Sequence, residues 1–597
     1  MEQQDFFSKS LAEINKTTTL LQQKSRRWVI YRVGAFLAAV LSLYILVQPA
    51  PVVAFGLTAA FLGLLIYFAY AHQKTRDRLS HYQVKQQLVS KEIEAISGNY
   101  QDFDPGIEYQ DPKHPFASDL DLFGSGSLFQ MLNRAVTSTG KQKLADLLRS
   151  PLHDVQQIQQ IQESIKELSQ KPRLMLDFLT AAKAAFPGML SENNIVRWAS
   201  EKHLQFLQRK ITILLAVIPV ITFIMLALMI LGNITFLMFL LYLFLVPLGI
   251  TAYYLKTIGK LHAQAGKQAG ALKSMSEMLR LAEDEKWQSD YLKSLLANID
   301  EQVLPPSVHI RVLSKISERF DYRLNFIAGF LLNAFLLWDL RQVKQLEIWK
   351  QKSGVHVEQW LDRLHRMEVL ISQGLFTYHH PDFIFPEMDT QVLINGEDVG
   401  HPFIPKSRRV GNQVQFSNWR QFQIITGGNM AGKSTYLRTV GINMVLAMTG
   451  NPVCAAQFRF TPVTLITSIR TDDSLQENES YFYAELKKLQ AIIKRLEKGE
   501  KLFLLLDEIL KGTNSRDKLH GSRALLRQLM NYSCSGAVAT HDIALGNLEK
   551  DFSDNIINYC FEISIDRNTL HFDYKLRKGS AENMNAVFLM KQMGITV

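Results

Sequence analysis

Two stretches of this chain carry no charge. Val33 to Ala71 contains no Asp, Glu, Lys or Arg, and neither does Ile211 to Leu255. A helix needs about 20 apolar residues to cross a bilayer, so each stretch has room for two. Breakers sit near the middle of both, Gln48-Pro49-Ala50-Pro51 in the first and Gly232-Asn233 in the second. The pattern predicts two helical hairpins and four membrane-crossing helices. Buried core helices are the other reading, but four charge-free spans of this length exceed ordinary core usage. The flanks are basic: Lys24, Arg26, Arg27 and Arg32, then Lys74, Arg76 and Arg78, then Arg209 and Lys210, then Lys256 and Lys260. The positive-inside rule puts all four flanks in the cytoplasm. Trp28, Tyr31, Tyr67, Tyr70, Tyr253 and Tyr254 are placed like interfacial anchors. The long basic segment before the first span, and the second span directly after it, argue against a cleaved leader. A third apolar run, Leu324 to Trp338, is shorter and contains Asn325 and Asn333, so it is expected to be a buried helix of the core, with an interfacial or re-entrant helix as the lesser reading.

Helical pattern dominates the rest of the chain before residue 401. Val84 to Ile96 reads as one mixed-charge helix, and Asp104-Pro105 to Pro115 as a polar linker. Leu144 to Lys183 reads as helices with a break at Lys171-Pro172. Ala263 to Ile299 reads as a long helical stretch ended by Pro305-Pro306, and Ser353-Gly354 precedes the last one. The pattern then changes to short apolar runs. Gln423-Ile424-Ile425, Leu502 to Leu506 and Gly536 to Thr540 read as strands of a parallel sheet buried on both faces.

The ends of these strands carry the chemistry. After the first comes Gly427-Gly428-Asn429-Met430-Ala431-Gly432-Lys433-Ser434-Thr435, which fits G-x-x-x-x-G-K-[ST] between a strand and a helix from Tyr436 to Met448. Such a loop cradles nucleotide phosphates on backbone N–H groups at a helix N-terminus. Lys433 is placed to reach the β- and γ-phosphates, and the Ser434 hydroxyl to hold Mg²⁺. The second strand ends in Asp507-Glu508. One carboxylate can serve the metal and the next can orient or deprotonate a water. The third ends in His541-Asp542, and His541 can sense the γ-phosphate. Ligands of open α/β sheets bind where such strand ends converge.

These residues resemble the MutS family of DNA mismatch repair ATPases, which are of ABC type. The family's Thr-Gly-Pro-Asn-Met-Gly-Gly-Lys-Ser-Thr is matched from Thr426 to Thr435, with Gly428 and Ala431 as departures. Its Asp-Glu-Ile-Gly-Arg-Gly-Thr is matched from Asp507 to Thr513, with Leu510 and Lys511 as departures. Ala539-Thr540-His541 matches its Ala-Thr-His. Ser480-Tyr481-Phe482, followed by Ala484-Glu485-Leu486, resembles its Ser-Thr-Phe signature segment, with Glu479 as a further departure. The resemblance implies that Ser480 reaches the γ-phosphate on the opposite subunit, and hence a homodimer with two composite sites. Arg409-Val410-Gly411-Asn412 resembles the family's adenine-bordering stretch, which implies Val410 and Asn412 beside the base. Leu122 to Arg134 and Thr137 to Leu152 resemble the start of the family's helical core, and His401-Pro402 its entry to the ATPase domain.

The expected organisation is therefore multidomain. Residues 1–29 form an N-terminal segment, 30–72 the first hairpin, and 73–115 a helix and linker. Residues 116–350 form an all-α MutS-like core and lever domain, interrupted by the second hairpin at 211–255. Residues 351–400 form a connector, and 401–597 a C-terminal α/β P-loop ATPase domain. The net charge of +10 suggests nucleic acid, but the cations flanking the spans are its plainer source and also meet anionic lipid. Lys487-Lys488, Lys494-Arg495 and Lys498, beside Glu485 and Glu497, read as a solvated helix face. Cys454, Cys534 and Cys560 have no metal-ligand spacing and are expected to be free thiols.

The expected activity is hydrolysis of ATP to ADP and phosphate with Mg²⁺. The expected location is the cytoplasmic (inner) membrane, multi-pass, with lipid as a partner of the four helices. DNA is the partner the family suggests. A mechanoenzyme acting on lipid or protein is the alternative. An ABC-type transporter ranks below both, because no charged residue marks a path within the spans. Mismatch recognition by the chain itself is not expected. The N-terminal region is too short for the family's mismatch reader, a hairpin occupies its middle, and the second hairpin stands where the family has its DNA clamp. No room is expected after the ATPase for a nuclease domain.

Overall fold

The computed structural model describes residues 2–185, 192–297, 305–469, 481–511, 513–566 and 569–581. A helical N-terminal region is followed by a C-terminal α/β domain. Among the described residues, four helices are long and apolar enough to cross a membrane by length and composition.

The first hairpin pairs the helices Glu2–Leu46 and Pro51–Ile96. Pro51 sits in the first turn of its helix, where its missing N–H has no intrahelical partner to lose. Ser42 and Thr58 join their hydroxyls at 2.9 Å across the pair, and Trp28 Nε1 donates to Thr75 Oγ1 at 3.1 Å. Both helices run on well past the charge-free stretch. The helix expected at Val84–Ile96 is thus the last part of a 46-residue helix, since no Gly or Pro interrupts the chain between Ala71 and Ile96. At 1.5 Å per residue that helix is roughly 70 Å long, about twice the hydrocarbon thickness of a bilayer.

In the second hairpin, Arg209–Ile230 turns through Gly232 (φ +78°) into Phe236–Leu245, which Thr235 caps. Val246 and Pro247 interrupt the return, and the helix Pro247–Glu283 continues it. The long stretch expected at Ala263–Ile299 is corrected accordingly. Its helix begins at Pro247 and stops at Glu283, and a short helix, Asp290–Leu296, follows. The break is held from outside: the Glu167 carboxylate accepts the N–H groups of Gln288 and Ser289, and Trp287 Nε1 donates to Ala282 O. Pro306 opens the next helix, Pro306–Phe320, rather than closing the last.

The third apolar run forms the helix Phe326–Leu336, and it does not lie in the interior of the helical region. It packs on the second hairpin, with Phe335 6.0 Å from Phe223 and 6.4 Å from Phe239, and Phe330 5.8 Å from Phe244. Leu331 stays exposed. A helix apolar on all sides finds its partners on a hairpin that has no polar face. Asn333 is buried but satisfied within its own segment, donating to Gly329 O and accepting from Asp339 N–H.

The C-terminal domain contains two sheets. Their strands are β1 (Glu387–Met388), β2 (Ile394–Val399), β3 (Asn412–Phe416), β4 (Phe422–Gly427), β5 (Gln457–Phe460), β6 (Thr464–Ser468), β7 (Leu502–Asp507), β8 (Cys534–Thr540), β9 (Ile556–Asp566) and β10 (Thr569–Lys578). A six-stranded sheet has the order β10-β9-β4-β8-β7-β6, parallel from β9 to β6 with β10 antiparallel at the edge. A four-stranded sheet, β1-β5-β2-β3, packs beside it. Phe416 of β3 meets Phe503 of β7 edge-on at 4.9 Å. The segment from Tyr109 to Leu148 shares this core. Thr467 N–H donates to Pro115 O at 3.0 Å, and its hydroxyl donates to Asp119 at 2.6 Å. Cys454, Cys534 and Cys560 are buried and form no disulfide.

Candidate functional site

The register of the large sheet brings the strand ends together. Thr426 of β4 pairs with Thr540 of β8, and Ala539 of β8 with Asp507 of β7. The loops after all three strands leave from one edge.

β4 ends at Gly427, and the chain passes through Gly428, Asn429, Met430, Ala431 and Gly432 into the helix Lys433–Met448. A Cβ on Gly427 would lie 2.8 Å from Phe561 O, and one on Gly432 (φ +112°) would lie 3.2 Å from the Tyr574 ring. Only glycine fits these two positions, so the loop presents bare backbone at a helix N-terminus. Lys433 is buried, and its Nζ donates to Gly427 O at 2.9 Å and Gly428 O at 2.8 Å. Burial pulls its pKa below the ordinary lysine value, against the attraction of Asp507 and Glu508.

The next residue, Ser434, donates its hydroxyl to Asp507 Oδ2 at 2.5 Å across 73 positions of sequence. A hydroxyl and a carboxylate meeting beside a phosphate-type loop are a hard oxygen set of the kind Mg²⁺ takes. The residues present therefore fit that ion.

Glu508 has φ +53°, and its N–H bonds to Ala539 O at 2.8 Å. Its carboxylate lies 2.7 Å from His541 Nε2 and 3.5 Å from Lys518 Nζ. The hydrogen bond from His541 holds the Glu508 pKa down at about 2, against the opposing effect of burial and with help from the charges of His541, Lys518 and Lys511. The other ring nitrogen of His541, Nδ1, stands 3.5 Å from Lys433 Nζ. An imidazole carrying its proton on Nε2 serves both partners, donating to Glu508 and accepting from Lys433. A carboxylate of such low pKa is a weak base, so this arrangement suits orienting a water better than removing its proton outright.

Val410 and Asn412 line a cavity of about 420 Å³ beside this loop, together with Gly432, Thr435, Phe403 and Tyr574. Asn412 donates to Tyr574 O and accepts from Leu576 N–H, which ties β3 to the β9–β10 hairpin. A larger cavity, about 640 Å³, lies away from the strand ends between Lys143, Asp362 and Arg366. There the charges are already paired, Lys143 to Asp362 at 2.7 Å and Arg366 to Asp362 at 2.8 Å, which leaves the strand-end cavity as the better candidate.

The structure thus brings Gly427 to Thr435, Asp507, Glu508, His541, Val410 and Asn412 to one edge. Ser480 lies outside the described residues. Lys518, Tyr574 and Phe561 also meet the site and belong to no motif: Lys518 reaches Glu508 from ten positions on, and Tyr574 and Phe561 stand about 130 to 140 positions from the glycine loop they touch. Glu485, expected on a solvated face, instead has its carboxylate accept from Leu510 N–H at 2.7 Å and Lys511 N–H at 3.2 Å.

Fold and site together define an open α/β domain with a glycine loop, a carboxylate pair and a histidine at one sheet edge. Residues 423–595 match the family model of MutS domain V. The chain is 31% identical over 216 residues to the human "MutS protein homolog 4", a match covering 34% of this chain and 22% of that protein. It is 32% identical over 222 residues to the "DNA mismatch repair protein MutS" of Lachnoclostridium phytofermentans, covering 36% and 24%. It is 31% identical over 199 residues to the same-named protein of Thermotoga petrophila, covering 33% and 25%. The chain spans about a quarter of the length of these relatives. The likeness to the MutS family therefore lies in domain V, over residues 423–595.

Proposed function

We propose that this chain is a membrane-anchored ATPase that hydrolyses ATP to ADP and phosphate at the edge of its large sheet. The observation that carries the reading is the meeting of Lys433, Ser434, Asp507, Glu508 and His541, from three separate loops, within hydrogen-bonding reach of one another. The N–H groups of the loop from Gly427 to Gly432 cradle the phosphates, and Lys433 exchanges its carbonyl partners for phosphate oxygens. Ser434 and Asp507 hold Mg²⁺, which supplies neutralising charge to the phosphates. Glu508 orients the attacking water, and His541 faces the γ-phosphate. Val410 and Asn412 border the base in the adjoining cavity. In full-length protein purified in detergent, Glu508→Gln should retain ATP while hydrolysis falls. Normal hydrolysis by that variant would remove Glu508 from the role. Failure of the unaltered protein to bind ATP would end the ATPase reading.

The four apolar helices are proposed to span the cytoplasmic (inner) membrane as two hairpins, with the helical region and the ATPase domain in the cytoplasm. The expected domain order is kept as part of this proposal, with β1 and β2 joined to the ATPase domain because they pair with β5 and β3. A homodimer with two composite sites follows from the resemblance of the segment at Ser480. DNA is proposed as a partner at the membrane face, in line with the names of the relatives, without mismatch recognition by this chain.

A second reading, in which the ATP cycle acts on lipid or a membrane protein, is favoured by one feature. The helices Pro51–Ile96 and Pro247–Glu283 run unbroken from the apolar stretches into the helical region. Duplex binding with and without ATP across a salt series separates the two. ATP-dependent, structure-selective binding at physiological salt supports DNA. Weak binding that vanishes steeply with salt supports the second reading.

A further inference from the structure

The loop from Asp507 to Lys511 carries two non-glycine residues in the left-handed region, Glu508 at φ +53° and Leu510 at φ +61°. For an L-residue with a side chain that conformation is disfavoured, so something must hold it. Glu508 is tied to β8 through its N–H to Ala539 O and to His541 through its carboxylate. Leu510 sits where the family resemblance places a glycine, and a left-handed φ explains that preference. Its side chain is buried, with Cδ1 against the open space left by Gly521. Its backbone N–H and that of Lys511 point the same way, and successive N–H groups beside a left-handed residue form a small anion-binding concavity. The Glu485 carboxylate fills it, with Oε1 2.7 Å from Leu510 N and Oε2 3.2 Å from Lys511 N. Glu485 belongs to the helix Tyr481–Glu497, a different element from the loop it grips.

We propose that Glu485 is a positioning residue for Glu508: its two-oxygen grip on the Leu510–Lys511 turn fixes the direction in which the Glu508 carboxylate presents to water. The proposal rests on the ATPase reading above. Without the grip, Leu510 relaxes toward negative φ and the peptide units between it and Glu508 rotate with it. The helix Tyr481–Glu497 thereby becomes the element whose position sets the water-orienting carboxylate.

The test is a double-mutant cycle on the full chain in detergent, reading kcat for ATP and nucleotide affinity separately. Glu485→Ala should lower kcat about 10- to 100-fold, the effect of misplacing a group by an ångström or so, with ATP affinity within about twofold of the unaltered protein. Glu485→Gln, which keeps one acceptor oxygen, should lie between and guards against simple misfolding. In a Glu508→Gln background, Glu485→Ala should change the residual rate by less than about twofold, because the group it positions is already gone. An unchanged kcat for Glu485→Ala and Glu485→Gln, or the same fold-loss in both backgrounds, overturns the proposal while leaving the ATPase reading intact. Absence of ATP binding and turnover in the unaltered protein removes both.

Discussion

Val52 and Tyr253, on the apolar helices, are 84% and 82% exposed, whereas Phe422, Ile424 and Ile425 of β4 are fully buried. The two regions use the same kinds of side chain in opposite ways. In the sheet domain apolar residues close over one another, and Lys433, Ser434, Asp507, Glu508 and His541 meet at one edge as bonded partners. In the hairpins apolar residues face outward along both helices, and the polar groups, such as Ser42 and Thr58, turn inward to each other. Water explains the first pattern, because burial of apolar surface drives it at roughly 25 cal/mol per Å². The second is the pattern that a solvent as apolar as the side chains would favour, in line with the proposed membrane spans. On that proposal the helices Pro51–Ile96 and Pro247–Glu283 pass from one solvent to the other without a break.

The largest expected effect lies on the sheet side. Glu508→Gln should reduce ATP turnover about 10²-fold or more, the scale on which a misplaced reacting group slows a reaction, in a steady-state phosphate-release assay. A loss of tenfold or less would show that His541 or Lys518 carries the water, and would sharpen the role of the low Glu508 pKa.

A smaller effect tests the hairpins. Val220 is exposed near the middle of Arg209–Ile230. Val220→Lys should cost about 2.5–3.5 kcal/mol of insertion if that face meets lipid, seen as a loss of chain from the membrane fraction. If the face meets water, the same change should alter stability by no more than about 0.5 kcal/mol.

The smallest effect concerns pH. The Glu508 carboxyl stands at about 2 in the fold against an ordinary value of 4.5. A depressed carboxyl pKa stabilises the fold above the unfolded value, and this is lost as pH falls through 4.5 towards 2. By about pH 4 the loss should be near 1 kcal/mol, and Glu508→Gln should not show it, in thermal unfolding of the two proteins compared at matched pH.

How much was legible in the sequence divides along the same line. The glycine loop, Asp507-Glu508 and His541 were readable because each is a local run at a strand end. Their mutual bonds were not, since Ser434 and Asp507 are 73 positions apart. The four-stranded sheet escaped because Ile394–Val399, Asn412–Phe416 and Gln457–Phe460 are short and rich in Asn, Gln and charge. The break after Glu283 escaped because no Gly or Pro marks it, and Glu167, which holds it, lies 121 positions from Gln288. Phe326–Leu336 was placed in the core on length alone. An apolar partner outside the core, the second hairpin, was the alternative that length could not reveal. Glu485 looked like one more charge on a polar helix face, and only the φ of Leu510 shows why a carboxylate stands there.

The most direct measurement of the central claim is ATP hydrolysis in high-salt-washed membranes from cells producing the full chain or its Lys433→Ala variant. The account predicts that turnover stays with the washed membranes and is lost with Lys433→Ala. Turnover that leaves with the wash, or that survives the loss of Lys433, would contradict it.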